Sequence, residues 1–587
     1  MASALYVAAA SSEPVESKSF TEEDFDWWAI QPVADPAPPS VNDGFWGRNP
    51  IDQFVYEKLG ASGLKPAPEA GLFELVRRVY FDLHGLPPTA EQLAEFERAA
   101  AEDIDTAYEA LIDELLESPR YGERWAQHWL DVARYAESDG YRADGYRSSV
   151  YLYRDYVIRS INEDKPYDQF VREQLAGDEV NAEDPDTLIA TAFLRNGVYE
   201  YNQRDARMHW ELIMNEMTNV TGEVFLGLGF GCAQCHDHKF DPILQKDYYA
   251  LQAFLSTTYW PDGQRLETPD TIERYGRELV AWEAEAKPVL NELQEFRKSY
   301  DAGVKDYSIK QFPPDIQDMY NKPFAERNSY EKQMAELIEK QVIDQIGRII
   351  YVKQIKTKEP EKLERYDVLL SQLKELEKTK PQAPPESFFT TDISTEPVPT
   401  LLGGRYGKEM VSPAFLTLLG LPEPKITPTA TTTGRRSALA NWIADSENPL
   451  STRVMANRLW HYHFGTGIVP TPNDFGTLGE DPSHPELLDW LTSRFLEGGW
   501  RVKAMHRLIM TSATYRQTAN REPSELATVE DPMNRLMWRF PPKRLSAEQA
   551  RDAMLVASGE LEHREGGPRL EGDAPVRSVY VKKLRNR

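Results

Sequence analysis

The chain has 587 residues, with 67 Lys and Arg against 94 Asp and Glu, so its net charge is −27. This acidity disfavours nucleic acid binding, because a phosphate backbone requires a cationic protein surface. The length predicts more than one domain. The sequence lacks an apolar run of about eighteen residues, so we predict no membrane span.

The chain begins with two segments that precede the first predicted domain. A mainly apolar run follows Met1 and ends in small residues, as the tail of a signal peptide does, although the basic residues that usually begin such a peptide are missing. An acidic, Pro-rich segment follows it. We predict that residues 1–45 are the remnant of an export leader together with this Pro-rich segment.

Residues 46–265 have a mainly helical pattern. The stretch "NPIDQFVYEKLGASGL" begins with an Asn cap and places Pro at the first helical position. Apolar residues then recur at helical spacing. Further along, "NEDKP" predicts a break between two helices, because the residue before proline avoids the helical region.

Three further segments complete the predicted organisation. Residues 266–380 are charged and amphipathic, which predicts a helical hairpin or coiled-coil insert. Residues 381–433 are rich in Pro, Thr and Gly and predict a small loop or strand module. Residues 434–587 predict a second helical domain, which ends at a predicted strand, "RSVYVKK", and which we expect to be truncated. The predicted fold class is therefore mainly α, with several helical domains.

The only two cysteines lie in "GCAQCHDHKFDP", where Cys232 and Cys235 are followed by His236. C-x-x-C-H is the attachment signature of c-type haem. Two thiols at this spacing reach the two vinyl groups of one porphyrin, and the next His then ligates the iron. Two alternatives remain open, namely a mononuclear zinc or iron site and a redox dithiol or disulfide.

The residue on the distal side of the iron is not fixed by the motif. Candidate ligands are found on predicted helices: His128, His209, Met214 and Met217. If the iron has an open site, His128 or His463 would be the candidate catalytic acid or base. Each could equally be a core residue. A ligating imidazole usually donates its other N–H to a carboxylate or carbonyl. The candidates for such a second-sphere role directly follow the motif: Asp237, His238 and Asp241.

Long stretches of the chain resemble a known family. "RRVYFDLHGLPPT", "SPRYGERWAQHWLDVARY" and "GCAQCHDHKFDPILQKDYYALQAFL" resemble the planctomycete cytochrome c-type domain, and "NPLSTRVMANRLWHYHFGTGIVP" resembles its usual C-terminal partner domain. The resemblance spans about residues 45–260 and 434–587. The family usually has Trp-Gln-His-His-Phe-Gly where this chain reads Trp-His-Tyr-His-Phe-Gly, so His463 matches and His461 does not.

The resemblance implies a periplasmic or otherwise exported protein with covalent haem c and a redox partner protein. Such proteins tend to accompany polysaccharide-degrading genes, which suggests a glycan or sugar substrate. We therefore predict a protein of electron transfer, or a haem-dependent oxidoreductase, of the cell envelope. The alternative is a structural or interaction protein in which the motif is a stabilising or sensing site.

Overall fold

The computed structural model describes residues 19–41, 46–267, 269–386 and 388–586. It is 57% helix and 3% strand, which confirms the prediction of a mainly α fold. The predicted export leader falls on residues 1–18 and lies outside the described residues. Among the described helices, none is both long and apolar enough to cross a bilayer.

The first helical region begins at a capped helix. Asn49 accepts a hydrogen bond from the Ile51 backbone N–H, and Pro50 occupies the first helical turn, as predicted. The predicted break at 163–166 separates two helices. A short helix, α1 (Glu22–Phe25), precedes this region. The helices of the region are α2 (Pro50–Ala61), α3 (Leu72–Leu83), α4 (Ala90–Ala100), α5 (Ile104–Glu117), α6 (Pro119–Val132), α7 (Tyr151–Asn162), α8 (Tyr167–Val180), α9 (Pro185–Ala190), α10 (Ala206–Thr221) and α11 (Gln245–Leu255).

The charged insert contains one long helix and four shorter ones. They are α12 (Pro269–Ile309), α13 (Pro314–Asn321), α14 (Ser329–Gly347), α15 (Tyr351–Lys358) and α16 (Leu363–Leu376). α12 packs against α14 and α16, and α14 also contacts α10. A small apolar cluster of Leu293, Tyr300, Ile355, Tyr366 and Leu369 forms a core of its own in the insert.

The Pro-, Thr- and Gly-rich segment contributes three short strands. β1 (Thr258–Tyr259) pairs antiparallel with β2 (Thr391–Asp392), and β3 (Thr400–Leu401) pairs antiparallel with β4 (Met410–Val411). The first pair joins the end of the first helical region to this segment.

The second helical region contains α17 (Arg435–Ile443), α18 (Pro449–Phe464), α19 (Pro485–Glu497), α20 (Val502–Met510), α21 (Ala513–Arg516), α22 (Glu525–Glu530) and α23 (Ala547–Ser558). The predicted strand at "RSVYVKK" is wrong: Ser578–Tyr580 form a 3-10 turn, and a single bridge joins Leu570 to Val581. Arg577 explains the turn, because its guanidinium is fixed by Glu123 and Asp552.

One continuous apolar core runs through both helical regions. Buried polar contacts also cross between them. Asp52, at the start of α2, accepts hydrogen bonds from the backbone N–H groups of Ala513 and Thr514. Arg577 pairs with Glu123 at 3.0 Å, with both side chains buried. The two regions therefore pack as one unit and place their facing residues close together.

Candidate functional site

The cysteine motif follows a helix that ends in two tight turns. α10 passes into a π-turn at Gly222–Leu226, and the chain then reverses at Gly227, whose φ is 62°. A Cβ at this position would lie 2.8 Å from the Val454 Cγ2 atom, so glycine is required there by conformation and by space. A 3-10 turn at Phe230–Gln234 then carries the first cysteine.

The turn exposes its two thiols. Cys232 and Cys235 are both free and exposed. Ala233 between them is fully buried against the core, and the Gln234 carbonyl accepts hydrogen bonds from Tyr249 Oη at 3.0 Å and from Gln245 Nε2 at 3.1 Å. The backbone of the turn is thus fixed by α11, while both sulfurs remain accessible to a reagent or cofactor.

The His236 imidazole has a defined tautomer. Its Nδ1 lies 2.6 Å from the Asp237 carbonyl oxygen, which can only accept a hydrogen bond. Nδ1 therefore carries the proton, and Nε2 keeps a free lone pair. The ring is exposed, so that lone pair is available to a metal. Of the predicted second-sphere residues, Asp237 thus contacts the imidazole through its backbone carbonyl, and its carboxylate accepts a hydrogen bond from the Gln245 backbone N–H at 2.8 Å.

The other two predicted second-sphere residues stabilise the loop after the motif. His238 is buried, and its Nδ1 accepts a hydrogen bond from the Asp241 backbone N–H at 2.8 Å. Asp241 accepts one from the Thr477 backbone N–H at 2.6 Å, which joins the loop to the second helical region. Both residues therefore fix the backbone around His236.

A cavity of about 640 Å³ lies beside the motif, between α10, α14 and β3. Glu211, Met214 and Gly404 line it. A Cβ on Gly404 would lie 3.5 Å from the Tyr249 hydroxyl, the group that bonds the motif turn, so cavity and motif are separated by one side chain.

The three candidate ligands on α10 differ in their surroundings. Met214 lines this cavity, whereas Met217 is fully buried one turn later. His209 is buried against Tyr199, with ring centroids 4.9 Å apart, and burial lowers the pKa of His209 to about 4. Of these three candidates, only Met214 lines this cavity.

His128 lies on α6 beside a different and much smaller cavity. Its ring stacks on Tyr462, with centroids 3.9 Å apart, and contacts Trp125 at 5.2 Å. The cavity that it lines has a volume of about 70 Å³, enough for a few water molecules. Burial holds the pKa of His128 well below its usual range, so the ring is neutral at pH 7.

His463 belongs to a buried polar cluster between the two helical regions. Its Nε2 lies 2.8 Å from His506 Nδ1, and its Nδ1 lies 3.6 Å from Asp82 Oδ2. Asp82 also accepts hydrogen bonds from Tyr515 Oη at 2.7 Å and from Lys543 Nζ at 2.8 Å. A carboxylate and two imidazoles therefore form a row, an arrangement that can hold and pass a proton.

The charges of this cluster are set by burial and by Lys543. Burial acts to raise the pKa of Asp82, but Lys543 and His463 together outweigh it and hold that pKa well below its usual range. Burial lowers the pKa of His463 and of His506. At pH 7 the cluster is a charged carboxylate–ammonium pair beside two neutral imidazoles.

The sequence did not single out the partners of His463. Asp82, His506, Tyr515 and Lys543 are far from it in the chain, and no local spacing connects them. All four lie within the spans that carry the family resemblance, about residues 45–260 and 434–587, and that was the one available signal.

Among the described residues, no group of three or more His, Cys, Asp or Glu side chains is arranged to hold a metal ion. A mononuclear zinc site needs such a group, because protein side chains supply most of its ligands. A haem does not, because the porphyrin nitrogens supply most of the iron ligands and the protein adds one or two.

Comparison with known proteins confirms the predicted order of two regions. No curated protein and no solved structure matches the chain. Residues 50–259 match the PSCyt2 family model, described as a protein of unknown function (DUF1549). Residues 435–586 match the PSD1 family model, also described as a protein of unknown function (DUF1553). Two regions of the chain therefore match these family models in the predicted order, and the helical insert lies between them.

Proposed function

We propose that the chain carries one covalent haem c, attached through Cys232 and Cys235 and ligated by His236. The observation that carries the proposal is the His236 hydrogen bond, which puts the proton on Nδ1 and leaves Nε2 free. Ligating imidazoles typically donate their other N–H in this way. The two thiols next to it are free and exposed, as attachment to a porphyrin requires.

When bound, a haem c supplies a one-electron redox centre. The proposed role is electron transfer, or redox catalysis, in the cell envelope. Covalent attachment takes place outside the cytoplasm, so export of the chain to the periplasm is part of the proposal. The net charge of −27 suits a redox partner with a basic contact surface. A glycan or sugar is the proposed substrate class if the protein is an enzyme.

For the distal ligand we propose Met214. It lines the cavity of about 640 Å³ beside the motif, whereas His128 lines one of about 70 Å³. Tyr249, between the cavity and the motif, fixes the turn that carries both cysteines. The Met214 thioether would be the second protein ligand that holds the haem, which would favour electron transfer over catalysis.

The exposed thiols also support a second candidate, in which the motif is a redox-sensing dithiol. Cys232 and Cys235 are separated by two residues, as in thiol–disulfide switches, and both are accessible. In that case the protein would be an interaction protein that responds to oxidation, and it would bind no haem.

Visible spectra separate these functions. The chain would be expressed with an export signal in cells that mature c-type cytochromes, and the reduced protein would be examined with and without CO. A low-spin spectrum that CO does not change indicates two protein ligands and electron transfer. A high-spin spectrum that shifts with CO indicates an open site and an enzyme. A protein without haem absorption would leave the sensing dithiol as the function.

A matched pair of variants tests the distal ligand. Met214→Leu should convert a low-spin spectrum to a high-spin one, whereas Met217→Leu, one turn away in the core, should leave the spectrum unchanged. If His128→Ala alters the spectrum and Met214→Leu does not, the distal ligand comes from α6 and this assignment is contradicted.

A further inference from the structure

A second cleft lies at the junction of the two helical regions, on the surface side of the Asp82 cluster. Its volume is about 320 Å³, at the small end of the range for ligand-binding pockets. The first region contributes residues of α3 and α6, and the second contributes Tyr462 and the segment 540–545. The aromatic rings of Phe81 and Phe540 form part of its wall.

The cleft is rich in positive charge, although the chain is acidic. Five cationic side chains line it, but only two carboxylates do, Glu74 and Asp82. Each carboxylate is already paired, because Glu74 binds Arg78 at 2.8 Å and Asp82 binds Lys543 at 2.8 Å. The three remaining cations are guanidinium groups: Arg77, Arg124 and Arg544.

Lys543 and Arg78 have few donors left for a ligand. The Lys543 ammonium donates to Asp82 and to the backbone carbonyl oxygens of Tyr462 and His463. Arg78 donates to Glu74 and to the Tyr515 carbonyl, and its guanidinium lies 3.5 Å from the centre of the Phe540 ring. These two residues therefore form the wall of the cleft and hold its shape.

The other three guanidinium groups have no carboxylate partner. Within the part of the chain that the structure describes, no Asp or Glu oxygen lies within 4.0 Å of the guanidinium nitrogens of Arg77, Arg124 or Arg544. Arg77 lies 4.6 Å from the centre of the Phe81 ring, which orients it at the edge of the cleft.

Arg124 is the most enclosed of the three. Its Nε is buried and has no hydrogen-bond partner, and its Nη1 makes a single contact of 3.3 Å with Gln127 Oε1. Burial lowers the pKa of Arg124, although a guanidinium stays charged at pH 7. Asp82, Asp131 and Glu548 act on this cation from a distance without a direct ion pair, and an anion in the cleft would give it a partner in contact.

We propose that this cleft binds the oxyanion group of a small molecule, a carboxylate, sulfate or phosphate, through Arg77, Arg124 and Arg544. Guanidinium groups suit this ligand class because each presents paired N–H donors to two oxygens of one anion. The rings of Phe81 and Phe540 offer an apolar surface for the rest of the molecule. This site is separate from the cysteine motif and does not depend on a haem.

The test is isothermal titration calorimetry on the full chain at pH 7 and constant ionic strength. Inorganic sulfate, inorganic phosphate and acetate would each be titrated, so that the two tetrahedral anions are compared with a carboxylate. We expect saturable binding of at least one probe at a single site. The preferred probe identifies which of the three oxyanions the cleft selects.

Three variants test the assignment of the arginines. Arg124→Gln and Arg544→Gln should each weaken binding at least about tenfold, since each removes charge-assisted hydrogen bonds. Arg544 is exposed, so its variant keeps the test valid even if Arg124→Gln fails to fold. Arg274→Gln, an exposed arginine of α12, is the matched control and should bind as the parent does. Absence of saturable binding by all three probes, or equal weakening in Arg274→Gln, would overturn the proposal.

Discussion

At the scale of single residues, one hydrogen bond determines what the cysteine motif can do. The bond from His236 Nδ1 to the Asp237 carbonyl oxygen favours the tautomer in which Nε2 keeps a lone pair, and Nε2 is the atom that the proposal assigns to the iron. The spacing C-x-x-C-H predicts the residue types and their order. It does not predict which ring nitrogen is free, because that depends on the local backbone path. The partners of His463 were also beyond the sequence, because Asp82 and His506 reach it only through the tertiary fold.

His84 gives a prediction about pH. The side chain is buried, its Nε2 donates to the Leu115 carbonyl oxygen at 3.0 Å, and burial lowers the pKa of His84 to about 3. The folded state therefore binds fewer protons than the unfolded state between about pH 6.5 and pH 3. The contribution of His84 to stability is complete above pH 6.5 and decreases as the pH falls through that interval.

Denaturant unfolding at pH 7.5 and pH 5.0 measures this contribution. The loss of unfolding free energy between the two pH values should be smaller by about 2 kcal/mol in His84→Gln than in the parent. His563→Gln, at an exposed histidine, should lose as much as the parent. An unchanged loss in His84→Gln would show that His84 is already protonated in the folded state at pH 5.

At the scale of secondary-structure elements, helices with strong end signals were predictable, whereas the predicted C-terminal strand was wrong. Asn49 and Pro50 define the start of α2, and Pro166 ends the connection between α7 and α8. The prediction of a C-terminal strand was wrong because alternating residues alone do not supply a partner strand. In the structure, Arg577 fixes that segment as a turn against Glu123.

The contact between α8 and α17 depends on one buried arginine. Arg436 is fully buried and bonds Asp178 through both terminal nitrogens, at 2.6 and 2.7 Å, and Asp392 of β2 through Nε at 3.1 Å. Glu179 lies 3.4 Å away. Removing this cation would leave buried carboxylates without a counter-charge.

We therefore expect Arg436→Met to lower the unfolding free energy by about 3–5 kcal/mol. The matched control is Arg172→Met, which also removes an arginine that joins α8 to α17. Arg172 is partly exposed and pairs with Asp168, so its loss should cost less than about 1 kcal/mol. Chemical denaturation measures both unfolding free energies. An equal decrease in the two variants would contradict the claim that the buried Arg436 cluster stabilises the contact between α8 and α17.

At the scale of the whole molecule, the two regions that match family models share one core, which also includes α13 and α14 of the insert. Helices α12, α15 and α16 of the insert enclose a small core of their own. The sequence predicts separate helical domains because composition changes between them. It cannot show the buried pairs that join them, such as Lys543 with Asp82, because those residues are hundreds of positions apart. Cooperative unfolding of both regions follows from this shared core.

The part of the insert formed by α12, α15 and α16 should respond to core mutation independently of the main core. Leu369 of α16 is buried in the insert cluster, and Leu439 of α17 is buried in the main core. Leu369→Ala should reduce hydrogen-exchange protection in α12 and α16, at a local cost of about 2–5 kcal/mol, and leave the main unfolding transition unchanged. Leu439→Ala should shift the main transition. If both variants shift the same transition equally, the insert and the main core unfold as one unit.

The mass of the denatured protein tests the central claim most directly. The chain would be produced with an export signal in cells that mature c-type cytochromes, denatured in acid, and weighed intact by mass spectrometry. The account predicts the mass of the polypeptide plus one haem, since thioether bonds to Cys232 and Cys235 survive denaturation. The variant in which both cysteines are replaced by serine should show the polypeptide mass alone. The polypeptide mass alone in the parent protein would contradict covalent attachment of haem.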